Sequence, residues 1–314
     1  MPLYYRPSNV VDAEETLEDA ALFNALHAEF GKGLTVLGRD EGIPEDGQFI
    51  GRTRQVEYPS NLFLKGKTDY WTDPAFLKHV GREFSFCDLG EAERAVEDLH
   101  ARGKTAVVKS SRDKHFIETI KPGTTLTRAL GNMVFSFCDA GKCLMVQEHV
   151  PMRFEHRFLV IGRKVATHSP NAYSLTPMSP VYGGFTGKIT DNHFETPKST
   201  KPIHNPELTK AMLHMAESIA KEAIEPNLCI DLALTDTGVV CVEFNPMHVG
   251  MVGLFACNPK DLVSAIADTM EPELLAEVRE QQHAPEEDPY AMMYDDFDEE
   301  DFDEGDFEGG IICE

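Results

Sequence analysis

The stretch that decides the fold of this chain reads Ile230-Asp231-Leu232-Ala233-Leu234-Thr235-Asp236-Thr237-Gly238-Val239-Val240-Cys241-Val242-Glu243-Phe244-Asn245-Pro246. Apolar residues alternate with others on both sides of residues 235–238, and the composition of that turn favours a β-hairpin. A hairpin centred near Thr237 places Asp231 opposite Glu243 on one face of the two strands. Asn245 lies two residues beyond Glu243, so its side chain returns to the same face.

Two carboxylates and an amide oxygen therefore converge on strands that are otherwise apolar. Like charges placed so closely are unfavourable unless a cation lies between them. A few carboxylates together with phosphate oxygens are the ligands that Mg²⁺ prefers. We predict that Asp231, Glu243 and Asn245 hold Mg²⁺. The alternative is that the two acids are strand-end charges exposed to water, as acidic residues mostly are.

Composition indicates a globular protein of one large or two ordinary domains, with 314 residues of which 42% are hydrophobic. The N-terminus lacks the apolar segment of a signal peptide, and no stretch approaches the roughly 18 apolar residues of a membrane helix. The seven cysteines show no C-x₂-C spacing. They indicate neither a zinc site nor a disulfide framework, and Cys229 and Cys241 read as small core residues. We expect a cytoplasmic protein with no membrane association.

The net charge of −24 is unevenly distributed. Residues 286–314 carry 14 Asp and Glu and no Lys or Arg, which leaves 29 basic and 39 acidic residues in the rest of the chain. That body is still acidic, which argues against a nucleic-acid-binding surface. Residues 286–314 repel themselves and contain few apolar side chains, so we predict a disordered acidic tail.

The spacing of apolar residues, together with capping residues, Gly and Pro, predicts the helices and strands. Helices are expected at residues 11–30, 73–80, 91–102 and 206–224, followed by a last pair from Asn258-Pro259 to about Gln282. Strands are expected at residues 105–109, 143–150, 156–161 and 164–168, before the hairpin of 228–245. Residues 31–85 indicate a small α/β region. Residues 169–204, rich in Pro, Gly, Ser, Thr and Asn, indicate a long connection.

Three segments upstream of the hairpin carry further candidate residues. Lys109 ends the apolar strand that begins at Ala106, which is costly unless the charge meets an anion or reaches water. Residues 144–151 form a strand that Pro151 ends. On the strand that follows, Glu155 and Arg157 share one face. Arg157 could bind a phosphate through its planar fork, or form a cross-strand salt bridge worth under about 1 kcal/mol.

Taken together and in order, these pieces resemble the ATP-grasp superfamily over roughly residues 72–270. The matching series is a helix, a lysine strand, a hinge, an E-x-R strand, a helix and a D-x₁₁-E-x-N-P hairpin. The resemblance implies an α/β (α+β) fold in which two subdomains clasp ATP. It divides the chain into a small N-terminal region (1–85), an ATP-grasp domain (86–285) and the acidic tail (286–314). Arg153 with Arg157 also resembles phage and bacterial clades with paired arginines.

The resemblance implies a role for each candidate residue. Asp231, Glu243 and Asn245 would hold Mg²⁺ against the ATP phosphates, which Lys109 would also bind. Arg157 would bind the γ-phosphate and the acyl phosphate formed from it, while Glu155 would meet a ribose hydroxyl or orient Arg157. The backbone of the hinge would read the adenine edge at Gln147, Glu148 and Val150. Residues 110–115 lack the expected glycine-rich phosphate loop, and Lys114 with the serine hydroxyls would replace it.

The function implied is an ATP- and Mg²⁺-dependent ligation of a carboxylate to an amine, with a small-molecule or peptide substrate on each side. Two alternatives stay open. One is phosphorylation of a hydroxyl, because the same fold serves kinases. The other is a nucleotide-binding interaction protein that acts through its acidic, phenylalanine-containing tail, which would dock on a partner protein. A tail that only confers solubility accounts for the composition equally well.

We predict that the tail is separable from catalysis. Because its acids have no compensating cations within the tail, a chain ending at Pro285 should fold and keep its ATP turnover on small substrates. Turnover and nucleotide affinity of the truncated and full-length chains would be compared by a coupled ADP assay and calorimetry. Loss of ATP binding on truncation would contradict this separation.

Overall fold

Regular structure covers most of the chain up to Gln282. The computed structural model describes residues 2–7, 13–38, 41–42, 44, 47–51, 70–111, 116–137, 140–172, 175–179, 187–191, 202–246 and 253–282. The acidic tail and Lys114 lie outside these ranges. Among the described residues, no helix is long and apolar enough to cross a membrane.

The N-terminal region is built on a small parallel sheet. Its strands are β1 (Leu3–Arg6), β2 (Leu34–Val36) and β3 (Gln48–Gly51), in the order β2-β1-β3. Helix α1 (Ala13–Phe30) connects β1 to β2, and Gly31 follows it with a positive φ of 51°. That conformation lets the chain leave the helix and turn towards β2.

The second sheet is antiparallel and four-stranded. It contains β4 (Phe84–Cys87), β5 (Ala106–Ser110), β6 (Ile117–Ile120) and β7 (Leu144–Glu148), in the order β4-β7-β5-β6. Helices α3 (Leu89–Ala101) and α4 (Leu126–Leu130) pack against it, and helix α2 (Pro74–His79) precedes it in the chain. Helix α3 begins with a capping box, in which Asp88 accepts a bond from the Glu91 backbone at 2.8 Å and Glu91 accepts one from Asp88 at 3.2 Å.

The third sheet is also antiparallel, and it carries the hairpin. Its strands are β8 (Arg153–Ile161), β9 (Lys164–Pro170), β12 (Leu228–Thr235) and β13 (Gly238–Pro246), in the order β13-β12-β8-β9. Between β9 and β12 the chain forms the short pair β10 (Lys188–Thr190) and β11 (Pro202–His204), then helix α5 (Pro206–Glu222). Helices α6 (Pro259–Thr269) and α7 (Pro272–Gln282) follow the hairpin.

The third sheet separates two hydrophobic cores, because neighbouring residues on each strand point to opposite faces. One face of β8 contributes Phe158 and Val160 to a core shared with α5. The other face contributes Leu159 and Ile161 to a core shared with α1, α6 and α7. The N-terminal region is thus packed against the same face of the sheet to which residue 157 belongs.

Most of the predicted elements are present. The four predicted helices that precede the hairpin all exist, with bounds shifted by one or two residues, and so does the pair after Asn258. Cys229 and Cys241 are fully buried, as predicted. Within residues 169–204, where the composition predicts a long connection, the structure adds two short strands, since β10 and β11 pair in antiparallel register. Their pairing is non-local, so it leaves little trace in the local composition.

Two histidines are buried against each other in the third sheet. His156 on β8 and His168 on β9 are 1% and 5% exposed, and their ring nitrogens Nε2 and Nδ1 lie 2.9 Å apart. Burial and the neighbouring ring lower the pKa of His156 well below its usual value, and burial lowers the pKa of His168 to about 4. Both rings are therefore neutral in the folded protein at neutral pH.

We predict that this pair makes the protein sensitive to acid. In the unfolded chain both histidines take up protons below about pH 6.5, whereas in the folded chain they do so only at lower pH. The free energy of unfolding should therefore fall as the pH drops from 6.5 towards 4, by up to about 1.4 kcal/mol per pH unit for each histidine.

Denaturant titrations at several pH values would measure this slope. The variant His156→Leu/His168→Leu should flatten it, and the control His214→Gln, at an exposed position on α5, should not. A histidine ring NMR titration in the wild type, with midpoints near 6.5 for both residues, would refute the interpretation.

Candidate functional site

A β-bulge sets the register of the hairpin. Thr235 pairs with Gly238 across a two-residue turn, and Leu232 pairs with Cys241. Continued regularly, this register would place Asp231 opposite Val242. The register shifts between Asp231 and Leu232, so that Asp231 pairs with Glu243 instead. The predicted pairing of Asp231 with Glu243 is confirmed, although it depends on a bulge that the sequence analysis did not include.

Arg82 holds this bulge in place, and the sequence analysis missed it. Its guanidinium donates to the carbonyl oxygens of Cys241 at 2.7 Å and Val242 at 2.9 Å. Its Nε also donates to Oε1 of Gln147 at 2.8 Å, so Arg82 joins β7 of the second sheet to β13 of the third. The clue to Arg82 in the neighbouring sequence is the glycine before it, Gly81. In the structure Gly81 has a positive φ of 61°, and a Cβ at this position would lie 2.2 Å from the Val240 side chain.

Arg157 and Asp231 form a buried ion pair across β8 and β12. The guanidinium Nε donates to Oδ1 at 2.8 Å and Nη2 donates to Oδ2 at 2.7 Å, which is the bidentate geometry. Nη1 donates to the carbonyl oxygen of Gly253 at 3.1 Å, and the ring of Phe255 lies 4.9 Å from the guanidinium carbon. The arginine and aspartate side chains are only 7% and 1% exposed.

A second ion pair connects the two larger sheets. Nζ of Lys109, at the end of β5, donates to Oε2 of Glu243 on β13 at 3.0 Å. The amide of Asn245 bridges the two carboxylates, since its Nδ2 lies 3.2 Å from Asp231 and 3.0 Å from Glu243. One continuous chain of contacts thus runs from Lys109 through Glu243, Asn245 and Asp231 to Arg157.

The electrostatics of this cluster favour fully charged groups. Burial disfavours the charged form of Lys109, but the attraction of the Tyr70 phenolate, which exists only at high pH, and of the Glu243 carboxylate outweighs burial and raises the pKa of Lys109. Arg157 shows the same balance: burial opposes its charge, and Asp231 raises its pKa well above the usual value. Burial is also the main reason that the pKa of Tyr70 is raised. Tyr70 is therefore a neutral hydroxyl beside Lys109 near neutral pH.

The expectation that Asp231 and Glu243 require a cation between them is met by the protein's own side chains. Among the described residues, Asp231 has Arg157 as a cationic partner and Glu243 has Lys109. Repulsion between the two carboxylates therefore does not by itself require a metal. The salt-bridge alternative for Arg157 describes its contacts correctly, but the pair is buried and not on the surface.

The hinge residues lie beside this cluster on β7 and just beyond it. Gln147 is buried and accepts from Arg82, while Glu148 is half-buried and accepts from Lys104 at 3.1 Å. Val150 follows the strand and is half-buried. Because β7 pairs directly with β5, these residues lie on the sheet that carries Lys109.

Glu155 does not orient Arg157. It accepts a hydrogen bond from the side chain of Asn171, whereas the partners of Arg157 are Asp231, Gly253 and Phe255. Orientation of the guanidinium therefore comes from the neighbouring strand β12 and from the segment after the hairpin. Arg153, the other member of the arginine pair, forms an exposed ion pair with Asp191. Lys114 lies outside the described residues.

The chemistry of the donor set fits Mg²⁺. Asp231 and Glu243 supply carboxylate oxygens, and rotation of the Asn245 amide would present its oxygen in place of its nitrogen. In the described part of the chain, no group of three or more His, Cys, Asp and Glu side chains could hold a metal ion. The proposed ligand set is not such a group, because it has only two acids, Asp231 and Glu243, and its third member, Asn245, is an amide.

Comparison with known proteins gives a match at the level of structure only. No protein-family model matches this sequence, and no curated protein does. The ATP-grasp ligase PsnB, solved in complex with a minimal precursor, superposes with a TM-score of 0.52 at 12% identity, over 86% of this chain and 100% of PsnB. The ATP-grasp RimK domain protein of Sphaerobacter thermophilus gives a TM-score of 0.47 at 16% identity, over 85% and 98% of the two chains. D-alanine–D-alanine ligase of Bacillus anthracis, complexed with ATP, gives 0.47 at 12%, over 89% and 99%.

The chain has the ATP-grasp fold. The fold that the ordered motifs of residues 72–270 imply, an ATP-grasp fold of mixed α/β class, is confirmed by the likeness to PsnB. The domain boundaries at residues 85 and 285 stay predictions, as do the roles of the individual site residues.

We predict that the Arg157–Asp231 pair is strongly coupled in the nucleotide-free protein. Asp231→Leu leaves a buried guanidinium without its anion and should lower the free energy of unfolding by about 3 kcal/mol or more. Arg157→Met/Asp231→Leu removes both charges and should recover most of that loss. A double-mutant cycle by denaturant unfolding should give a coupling energy of about 2 kcal/mol or more.

Lys78 and Glu222 provide a matched control. Their ion pair has a similar length of 2.8 Å, but the side chains are 56% and 43% exposed. The same cycle there should yield under about 1 kcal/mol, because water screens the charges. Equal coupling energies in the two pairs would show that burial does not strengthen the Arg157–Asp231 interaction.

Proposed function

We propose that this protein is an ATP- and Mg²⁺-dependent ligase that joins a carboxylate to an amine through an acyl phosphate. One observation supports this most strongly: two cations, two carboxylates and an amide converge from two different sheets on one cluster. Lys109 comes from β5, Arg157 from β8, Asp231 from β12, and Glu243 and Asn245 from β13. The two signs of charge are what a metal–nucleotide complex requires, since the metal takes the carboxylates and the phosphates take the cations.

The proposed roles follow from the present contacts. Arg157 already uses its planar fork on a carboxylate, and the same Nε and Nη2 donors match two oxygens of a phosphoryl group. Lys109 supplies a single compact charge to phosphate oxygens in place of Glu243. Bound by Asp231, Glu243 and Asn245, Mg²⁺ would neutralise negative charge on the phosphate oxygens. The backbone of the hinge, at Gln147, Glu148 and Val150, would hold adenine, with Glu155 at the ribose and Lys114 at the phosphates.

The reaction balances in two displacements. An oxygen of the donor carboxylate bonds to the γ-phosphorus as the bond to the bridging oxygen breaks, which releases ADP and leaves an acyl phosphate. The acceptor nitrogen then bonds to the acyl carbon, phosphate leaves with the oxygen, and the nitrogen gives up a proton. The protein contributes position and charge neutralisation, chiefly through Arg157 and Lys109, and no covalent bond to the enzyme is required.

The substrates we propose are a small-molecule or peptide carboxylate and a small-molecule or peptide amine. Of the similar structures, PsnB is an ATP-grasp ligase complexed with a minimal precursor. A role of the acidic tail in recruiting a macromolecular acceptor belongs to the same proposal. The substrate classes can be measured directly, because each substrate that reacts is recovered as a product of defined mass.

The test uses ATP, Mg²⁺, hydroxylamine and a pool of amino acids and peptides. A ligase should yield ADP, hydroxamates from trapped acyl phosphates and, without hydroxylamine, amide products visible by mass spectrometry. Arg157→Ala should lower kcat by about 10²-fold or more, because the guanidinium meets the transferred phosphoryl group. Arg157→Lys should recover little, because an ammonium lacks the fork.

Arg279→Lys is the control, since Arg279 on α7 forms a partly exposed ion pair with Glu29 on α1, outside the cluster, and should keep wild-type turnover. A phosphorylated hydroxyl product with no hydroxamate would favour the kinase alternative. Wild-type turnover in Arg157→Lys would remove Arg157 from the reaction.

A further inference from the structure

Phe255 occupies a strained position directly against Arg157. Its φ of 48° lies in the left-handed region, which aromatic residues rarely adopt. Such a conformation costs of order 1–3 kcal/mol and persists only where the surroundings impose it. Phe255 is 5% exposed, and its ring lies over the Arg157 guanidinium at 4.9 Å, within the range of a cation–π contact.

The N-terminal region imposes this conformation. Oε1 of Glu18, on α1, accepts a hydrogen bond from the backbone N–H of Phe255 at 2.8 Å. Glu18 is 4% exposed, so this bond forms away from bulk water, and it joins residues 237 positions apart. The neighbouring Leu254 is buried in the core shared with α1 and α6. A residue of the N-terminal region thus fixes the backbone that presents the Phe255 ring.

Three groups restrain the Arg157 side chain, and under the proposed function only some of them would stay in contact with it when a nucleotide binds. Asp231 holds the Nε–Nη2 edge, the carbonyl of Gly253 holds Nη1, and the Phe255 ring covers one face. In the proposed function Asp231 would help to hold the metal, and the Nε–Nη2 edge of the guanidinium would then be available to phosphate oxygens. Gly253 and Phe255 are then the contacts that keep the plane of the guanidinium directed at the transferred phosphoryl group.

We propose that Phe255 is a positioning residue for Arg157, and that Glu18 anchors it from the N-terminal region. This inference rests on the proposed function, in which Arg157 binds the γ-phosphate. It adds that the precision of that contact depends on an aromatic ring and on a carboxylate in a different part of the chain. The effect should therefore be seen on the terminal phosphate alone, since adenine and the other phosphates are bound elsewhere.

The test measures affinities of the full-length protein for Mg·AMPPNP and Mg·ADP by calorimetry. The ratio of the two dissociation constants reports the contact with the terminal phosphate. In the wild type the ratio should favour AMPPNP, and Arg157→Ala should abolish that preference. Phe255→Ala should lower the preference by about tenfold, while the affinity for Mg·ADP stays within about twofold. Phe255→Tyr keeps a π-face and should retain the wild-type ratio.

Phe255→Gly separates the ring from the backbone. Glycine adopts a φ of 48° without strain, so this variant keeps the loop conformation, relieves its cost and lacks only the ring. It should lose the preference as Phe255→Ala does. A wild-type ratio in Phe255→Gly would overturn the positioning role of the ring.

Glu18 is tested in the same assay. Glu18→Gln retains an oxygen that accepts from the Phe255 N–H and should keep the ratio, whereas Glu18→Ala should lower it. A wild-type ratio in Glu18→Ala would overturn the anchoring role. If Arg157→Ala itself leaves the ratio unchanged, the failure lies with the γ-phosphate assignment in the proposed function, and the inference falls with it. If Arg157→Ala lowers the ratio and the Phe255 variants do not, only the inference fails.

Discussion

The structure depends on the pairing of four buried or nearly buried charges, three from the third sheet and one from the second. Arg157 with Asp231 and Lys109 with Glu243 neutralise each other, and Asn245 links the two pairs. Any one of these groups left without its partner in this environment would cost several kcal/mol. The third sheet can carry two carboxylates on otherwise apolar strands because the second sheet delivers a lysine and the adjacent strand delivers an arginine.

Under the proposed function, the same pairing would allow an exchange of partners. The carboxylates of Asp231 and Glu243 would hold Mg²⁺ and the phosphate oxygens would meet Lys109 and Arg157, so that no charge would be left buried and unpaired. A metal alone would leave the two cations without their carboxylate partners, and a nucleotide alone would leave the two carboxylates without their cationic partners. Under the proposed function, the electrostatics would therefore favour the joint arrival of metal and nucleotide over either one separately.

The geometry of the cluster relies on residues with no charge-pairing role of their own. The bulge at Val242 brings Glu243, and not its neighbour, opposite Asp231, and Arg82 satisfies the carbonyls that this bulge leaves open. Arg82 also reaches Gln147, so the shape of the hairpin is linked to the hinge strand. On the other side, Phe255 and Glu18 connect Arg157 to the N-terminal region.

The sequence by itself determined the order of elements, the hairpin, the conjunction of Asp231, Glu243 and Asn245, and the candidates Lys109 and Arg157. These follow from local periodicity, turn composition and the spacing of chemically unusual residues, all of which are properties of short segments. Tertiary structure alone decided how those residues pair. Arg157 is oriented by Asp231 and not by the nearby Glu155, and Lys109 meets Glu243 across 134 positions of chain. Arg82, Glu18 and Phe255 left no clear local pattern, because a side chain whose role is to touch a distant strand or loop is defined by the fold that brings the two together.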